Sequence, residues 1–254
     1  MVNERKMRLA FIGSGKVATE LALIFRFQGI DISGISSRNH VSGNFLASRL
    51  HCPFVADPNE LKADLIIIAT NDASVKALNT TLKTNSFVAY TAGAVNLADI
   101  PEENWGVFYP LQTFTENRHL TVDEVPILIE SNSIELRNLM EELCEKIGLR
   151  YDYCNSEDRK KYHLAAVYVN NFVNHLFHKA QVQLQQNNLD WNMLKPLIEE
   201  TVAKLDDLSA FDAQTGPARR NDQSTIQAHQ SMLSEEELNI YNVLTKSIQK
   251  TYNP

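Results

Sequence analysis

Over the first 150 positions the apolar residues fall into short runs separated by stretches of helical period. Strand-like runs recur at 8–12, 31–35, 64–70, 86–91, 106–108 and 125–130. Helical patterns lie between several of them, at 16–28, 43–50, 73–83 and 133–147. The run DLIIIAT at 64–70 is almost continuously apolar, as expected of a parallel strand covered on both faces. Strands alternating with helices predict right-handed βαβ crossovers and a doubly wound sheet. After Cys154 the texture changes, and no convincing strand follows. Long helical segments are predicted at 157–186, 192–208 and 234–250, with Pro196 early in the second, where a missing amide is tolerated or the helix starts late. The pattern therefore divides the chain into an α/β domain (1–154) and an all-helical C-terminal domain (155–254).

Between the first strand and the first helix lies Gly-x-Gly-x-x-Ala. Gly13 allows a tight turn after the strand, and Gly15 lets backbone approach a pyrophosphate. Ala18 is small enough for helix and sheet to pack closely. The free amides at the start of the helix, reached through Ser14, Lys16 and Val17, would face the phosphates. In this context the glycines make the sheet domain Rossmann-type. The second strand ends in Ser36, Ser37 and Arg38, where an NAD-preferring site usually carries an acidic residue. Two hydroxyls and a guanidinium suit a 2′-phosphate, so NADP is the expected cofactor. A solvated Arg38 is the plainer alternative. Ala69, Thr70, Asn71 and Asp72 follow one strand, and Thr91, Ala92 and Gly93 end another. Both groups stand at carboxyl ends of strands, where open α/β sheets bind ligands. Asn71 and Asp72 also fit a helix cap, and the two roles can coexist.

Composition narrows the classes further. Hydrophobic residues at 44% and charged residues at 22% describe an ordinary globular chain. A net charge of −7 argues against nucleic acid as a partner. No stretch reaches the roughly 20 apolar residues of a membrane helix, and no signal peptide is visible. Three cysteines, Cys52, Cys144 and Cys154, lack metal-site spacing and fit a reducing cytoplasm. His163 and His175 stand about 18 Å apart along one helix, too far to share an ion, so no metal site is expected.

Five motifs, GSGKVA (13–18), SSR (36–38), YPLQTF (109–114), YHLAAVYVNNF (162–172) and TGPARRND (215–222), carry a resemblance that covers essentially the whole chain. It resembles the Rossmann proteins that join an NADP-oxidoreductase-like domain to a helical C-terminal domain of unknown function. That group is related to pyrroline-carboxylate reductases, deazaflavin-dependent NADP oxidoreductases and 3-hydroxyacid dehydrogenases. The resemblance implies hydride transfer between NADP(H) and a small carbonyl or imine compound. A non-enzymatic NADP-binding sensor is the competing class, and a deazaflavin partner follows only from kinship. Tyr109 stands where the family pattern has His before Pro-Leu-Gln.

On the helix from 157, His163, Asn170, Asn174 and Gln181 are spaced seven, four and seven apart and form one polar stripe. Histidine titrates near neutral pH, so His163 is the candidate proton donor, with Asn170 orienting the substrate. The related hydroxyacid dehydrogenases use Lys with Asn four positions later. Here Lys160 and Lys161 are followed at that spacing by Leu164 and Ala165, which leaves Lys161 as a reserve donor. Tyr109, Gln112 and Arg219 are the candidate substrate contacts, with Arg219 or Arg220 suited to a bidentate carboxylate pair. Apolar helix faces after 155 predict a homodimer through the helical domain.

Overall fold

A computed structural model describes residues 7–253. Among them seven strands form one sheet: β1 (Arg8–Ile12), β2 (Asp31–Ser36), β3 (Leu65–Ile68), β4 (Phe87–Tyr90), β5 (Trp105–Pro110), β6 (Ile127–Ser131) and β7 (Tyr151–Tyr153). Their order is β2-β1-β3-β4-β5-β6-β7. All neighbours are parallel except β5 and β6, which run antiparallel with Gly106 opposite Ser131 and Pro110 opposite Ile127. The order reverses direction at β1, between β2 and β3. That is the switch point at whose carboxyl ends such sheets open a crevice.

Helices α1 (Lys16–Phe27), α2 (His40–Leu50), α3 (Asp72–Thr81) and α4 (Ile134–Ile147) accompany the strands. Successive strand residues point to opposite faces, and both faces are filled. Leu9, Phe11, Leu65, Ile67 and Ala89 pack with Leu21 and Phe25 of α1, Leu46 of α2 and Met140 of α4. Ala10, Ile12, Ile66, Ile68, Val88 and Tyr90 form the other face with Val75 of α3, Leu97 and Ile100. This two-sided burial is why the third run reads as continuously apolar. Each such side chain contributes on the order of 1.5–3 kcal/mol.

After β7 the described residues contain no strand. A single long helix begins as α5 (Ser156–Ala166), passes through a π-helical turn (Val167–Phe172) and ends as α6 (Val173–Gln186). A 3₁₀ turn at Trp191–Leu194 leads into α7 (Lys195–Ala203), whose first turn holds Pro196; α8 (Ala210–Ala213), α9 (Gln223–Gln230) and α10 (Glu235–Tyr252) follow. The chain forms two compact units, one through Leu176 and one from Phe177 onward. The division falls inside the long helix because α5 is anchored to the sheet. Fully buried Arg159 donates to the carbonyls of Gly93 (3.3 Å) and Val95 and to the Glu130 carboxylate of β6. His163 and Asn170 consequently belong to the same unit as the glycine loop. Cys52, Cys144 and Cys154 are all unpaired thiols.

Candidate functional site

The loop after β1 is shaped by what a side chain would hit. Gly13 has φ +128°, and a Cβ there would lie 2.3 Å from the Ala69 carbonyl oxygen. Only glycine lets β1 turn this close to the end of β3. Its amide donates to the Ser36 carbonyl at 2.8 Å, which fixes the turn against β2. Gly15, by contrast, has open space where a Cβ would stand. It caps α1 in an extended conformation with no side-chain bond, so the first amides of the helix are left for a ligand. Ala18 is fully buried between helix and sheet.

Serines join this loop to the next. The Ser14 hydroxyl lies 2.8 Å from that of Ser37 and 2.7 Å from that of Ser42. The Asn39 side chain caps α2 by accepting from the Val41 and Ser42 amides at 3.1 Å. Ser36 is buried and serves through its carbonyl, whereas Arg38 is exposed and makes no ion pair among the described residues.

Two cavities meet over the loop. One of about 650 Å³ takes in Gly13, Ser14, Ser36, Ser37, Arg38 and Ser42. The other, of about 950 Å³, takes in Lys16, Val17, Asp72, Thr91, Ala92 and Gly93. They share Gly15, Ala69, Thr70 and Asn71, so together they form one crevice across the carboxyl ends of β1, β3 and β4. The Thr70 hydroxyl is buried there without a hydrogen-bond partner. Asn71 caps α3, its carbonyl oxygen accepting from the Ser74 amide at 2.9 Å. A hollow of about 1070 Å³ at the opposite ends of the strands, between Arg8, Asp64 and Ser86, includes none of the glycine-loop residues.

The larger cavity of the crevice continues to the end of β5 and to the long helix, with Tyr109, Gln112, His163, Asn170 and Asn171 in its lining. Tyr109 is buried, and its hydroxyl lies 2.9 Å from His163 Nδ1, the two rings meeting edge to face. Burial pushes the Tyr109 phenol above its ordinary value. A Cβ at Gly93 would stand 3.0 Å from His163 Nδ1 and 3.1 Å from Tyr109 Cε2, so a side chain there would crowd the pair. Gln112 is engaged at both ends of its amide, donating to the Glu124 carbonyl at 2.7 Å and accepting from the Thr113 amide at 2.8 Å.

Two candidates stand elsewhere. Lys161 is exposed and paired with Asp158 at 2.8 Å, a hydrogen bond that raises its ammonium pKa and makes it a poorer donor. Arg219 belongs to the second unit. Its guanidinium donates to the Asp212 carbonyl at 3.0 Å and to that of Gln214, and lies 5.0 Å over the Tyr252 ring. Those bonds brace the turn at Gly216, whose φ is +103°. Among the described residues no group of three or more His, Cys, Asp or Glu side chains could hold a metal ion. No described helix is long and apolar enough to cross a membrane.

Two residues of the site carry no local signal in the sequence: Arg159, which anchors the helix, and Asn171, which lines the cavity. Arg159 sits in the charged run EDRKK, which looks solvated, yet it lies four positions before His163 on one helix face. Asn171 falls off the stripe that an uninterrupted α-helix would make.

A family of domains described as "Domain of unknown function (DUF2520)" matches residues 125–248. No curated protein matches the chain. Among solved structures, "putative NADP oxidoreductase BF3122" of Bacteroides fragilis is 31% identical, with a TM-score of 0.88 over 96% of this chain and 98% of that one. A pyrroline-5-carboxylate reductase of Coxiella burnetii is 17% identical, with a TM-score of 0.59 over 98% and 100% of the two chains. A reductive aminase of Aspergillus terreus, solved with NADPH and ethyl-5-oxohexanoate, is 13% identical, with a TM-score of 0.72 over 98% and 96%. The last two share the fold. With a glycine loop, a switch-point crevice and a full-length relative at this identity, the chain belongs to the Rossmann-like NADP oxidoreductase family that carries the DUF2520 domain.

Proposed function

We propose that the protein is an NADP-dependent oxidoreductase of a small carbonyl or imine compound, with His163 moving the proton. The observation that carries this reading is the Tyr109–His163 pair in the same cavity as Gly15 and Thr70. The residues fit the dinucleotide: open space at Gly15, uncapped amides at the start of α1, and the orphaned Thr70 hydroxyl all call for a polar ligand. Gly15, Lys16 and Val17 would hold the pyrophosphate through backbone amides, and Arg38 with Ser37 the 2′-phosphate. Residues 69–72 and 91–93 would flank the nicotinamide half. When bound, the cofactor supplies or accepts the hydride.

The chain's own contribution is orientation and proton transfer. On this reading Tyr109, kept protonated by burial, accepts a hydrogen bond from His163 Nδ1–H across the 2.9 Å between them. This leaves Nε2 to exchange a proton with substrate. In reduction the imidazolium gives that proton to the carbonyl oxygen or imine nitrogen, and in oxidation the imidazole takes it back. Replacing His163 by Ala is expected to lower turnover about 10²–10⁴-fold while NADPH affinity stays within twofold. Unchanged turnover would remove His163 from the mechanism. A protein that binds NADPH but reduces no carbonyl or imine compound would be a sensor instead.

We also propose a homodimer. In the second unit Met193, Leu197, Val202 and Val243 are exposed on helices, a surface that a second copy would cover. Light scattering at micromolar concentration should give twice the chain mass; a monomer there would refute the proposal.

A further inference from the structure

An uninterrupted α-helix sets consecutive residues about 100° apart, so two neighbours meet a cleft at different angles. Between α5 and α6 the π-helical turn, Val167–Phe172, changes that angle. Such a turn adds a residue to the helical repeat and slides the following positions around the helix. Asn170 and Asn171 of this turn both line the cavity of about 950 Å³, as His163 does. No hydrogen bond among the described residues engages either amide.

Several other polar groups nearby are already committed, and the unpartnered Thr70 hydroxyl lies at the glycine-loop end. Gln112 is bonded at both ends, Asn71 Oδ1 caps α3, and Tyr109 and His163 hold each other. Of fixed charges the cavity has only Lys16 and Asp72 in its lining, both beside the glycine loop and opposite in sign. A carboxylate brought to Asn170 and Asn171 would meet two amides and no Lys or Arg, in a chain of net charge −7, while the His163 imidazolium is engaged by the reacting oxygen or nitrogen. A neutral group with a donor and an acceptor would be matched on both counts, because each Asn amide offers one of each. On the footing of the oxidoreductase reading above, we infer that Asn170 and Asn171 are specificity-determining residues. They select an uncharged carbonyl substrate bearing a carboxamide-like group over one bearing a carboxylate.

The test pairs 2-oxopropanamide with pyruvate, and levulinamide with levulinate, on the full-length protein with NADPH. The amides should exceed the acids in kcat/KM by at least tenfold. Asn170→Leu and Asn171→Leu should each raise KM for the amides fivefold or more, with KM for the acids within twofold. Asn171→Asp keeps the side chain's shape and removes its donor, and it should lose the preference as well, which separates recognition from misfolding. Equal or reversed preference in the parent protein, or a preference unchanged in all three variants, overturns the inference. If no compound of either kind oxidises NADPH, the oxidoreductase reading fails, and the inference is decided by calorimetric titration of the NADPH-loaded protein. Tighter binding of the amides supports it; equal or tighter binding of the acids overturns it.

Discussion

The two ends of the crevice reach order by opposite means. At the glycine-loop end the working groups are backbone: Gly13 turns the chain against Ala69, Gly15 leaves space, and the serines satisfy one another. At the α5 end the working groups are side chains, held by a guanidinium that sees no solvent. Arg159 fixes Gly93 and Val95, and Gly93 in turn abuts His163 and Tyr109. A phosphate chain can be met by amides whose positions the fold dictates. On the proposed reading the other end moves a proton, which needs a particular ring nitrogen in place and a scaffold of side chains behind it.

The widest break in this symmetry should come from Arg159. Arg159→Met removes the cation from the Glu130 carboxylate and leaves it only its bonds from Ser156, so urea denaturation should show a loss of about 3–5 kcal/mol. Adding Glu130→Gln should recover part of it. Loss of less than about 1 kcal/mol in the single variant would mean the pair does not anchor the helix. A smaller effect separates the core from both ends. Cys144 is fully buried on α4, and burial pushes its thiol from 9.0 to about 12. Above pH 9 the unfolded chain releases a proton that the folded chain keeps, so stability should fall as pH rises from 9 toward 12. The slope should approach about 1.4 kcal/mol per pH unit for this group. Cys144→Ala should flatten the profile; an identical profile would assign the alkaline loss to other groups. The smallest effect belongs to the loop. Arg38→Ala should weaken NADPH about tenfold, or about 1.4 kcal/mol, leave NADH binding unchanged, and leave the melting temperature alone. Equal losses for the two cofactors would remove Arg38 from 2′-phosphate recognition.

Much of the sheet was legible because its strands bury both faces. Ile66, Ile67 and Ile68 need apolar neighbours on either side, and the sequence has nowhere to hide that. The strand Tyr151–Tyr153 was not legible: three residues with Asp152 at the centre and little burial leave no period to detect. Nor was the antiparallel β5–β6 pairing, since an apolar run carries no sign of its direction. At the crevice, the glycine loop and the place of His163 in the lining follow from local spacing. Arg159 could not, because its carboxylate partner lies 29 residues earlier and only the folded sheet brings them together. Asn171 was hidden for a different reason, namely that helical periodicity presumes 3.6 residues per turn where the chain adopts a π turn.

On the proposed reading the dinucleotide supplies the partner that the Thr70 hydroxyl lacks, and its binding links the amount of folded protein to its supply. A buried polar group without a partner costs about 1–3 kcal/mol, a deficit that a bound ligand with a matching donor or acceptor removes. The loaded form then gains stability in proportion to the logarithm of ligand concentration. Cells rich in the dinucleotide would keep more of this chain intact against proteolysis, and depletion would shorten its lifetime before any substrate is met.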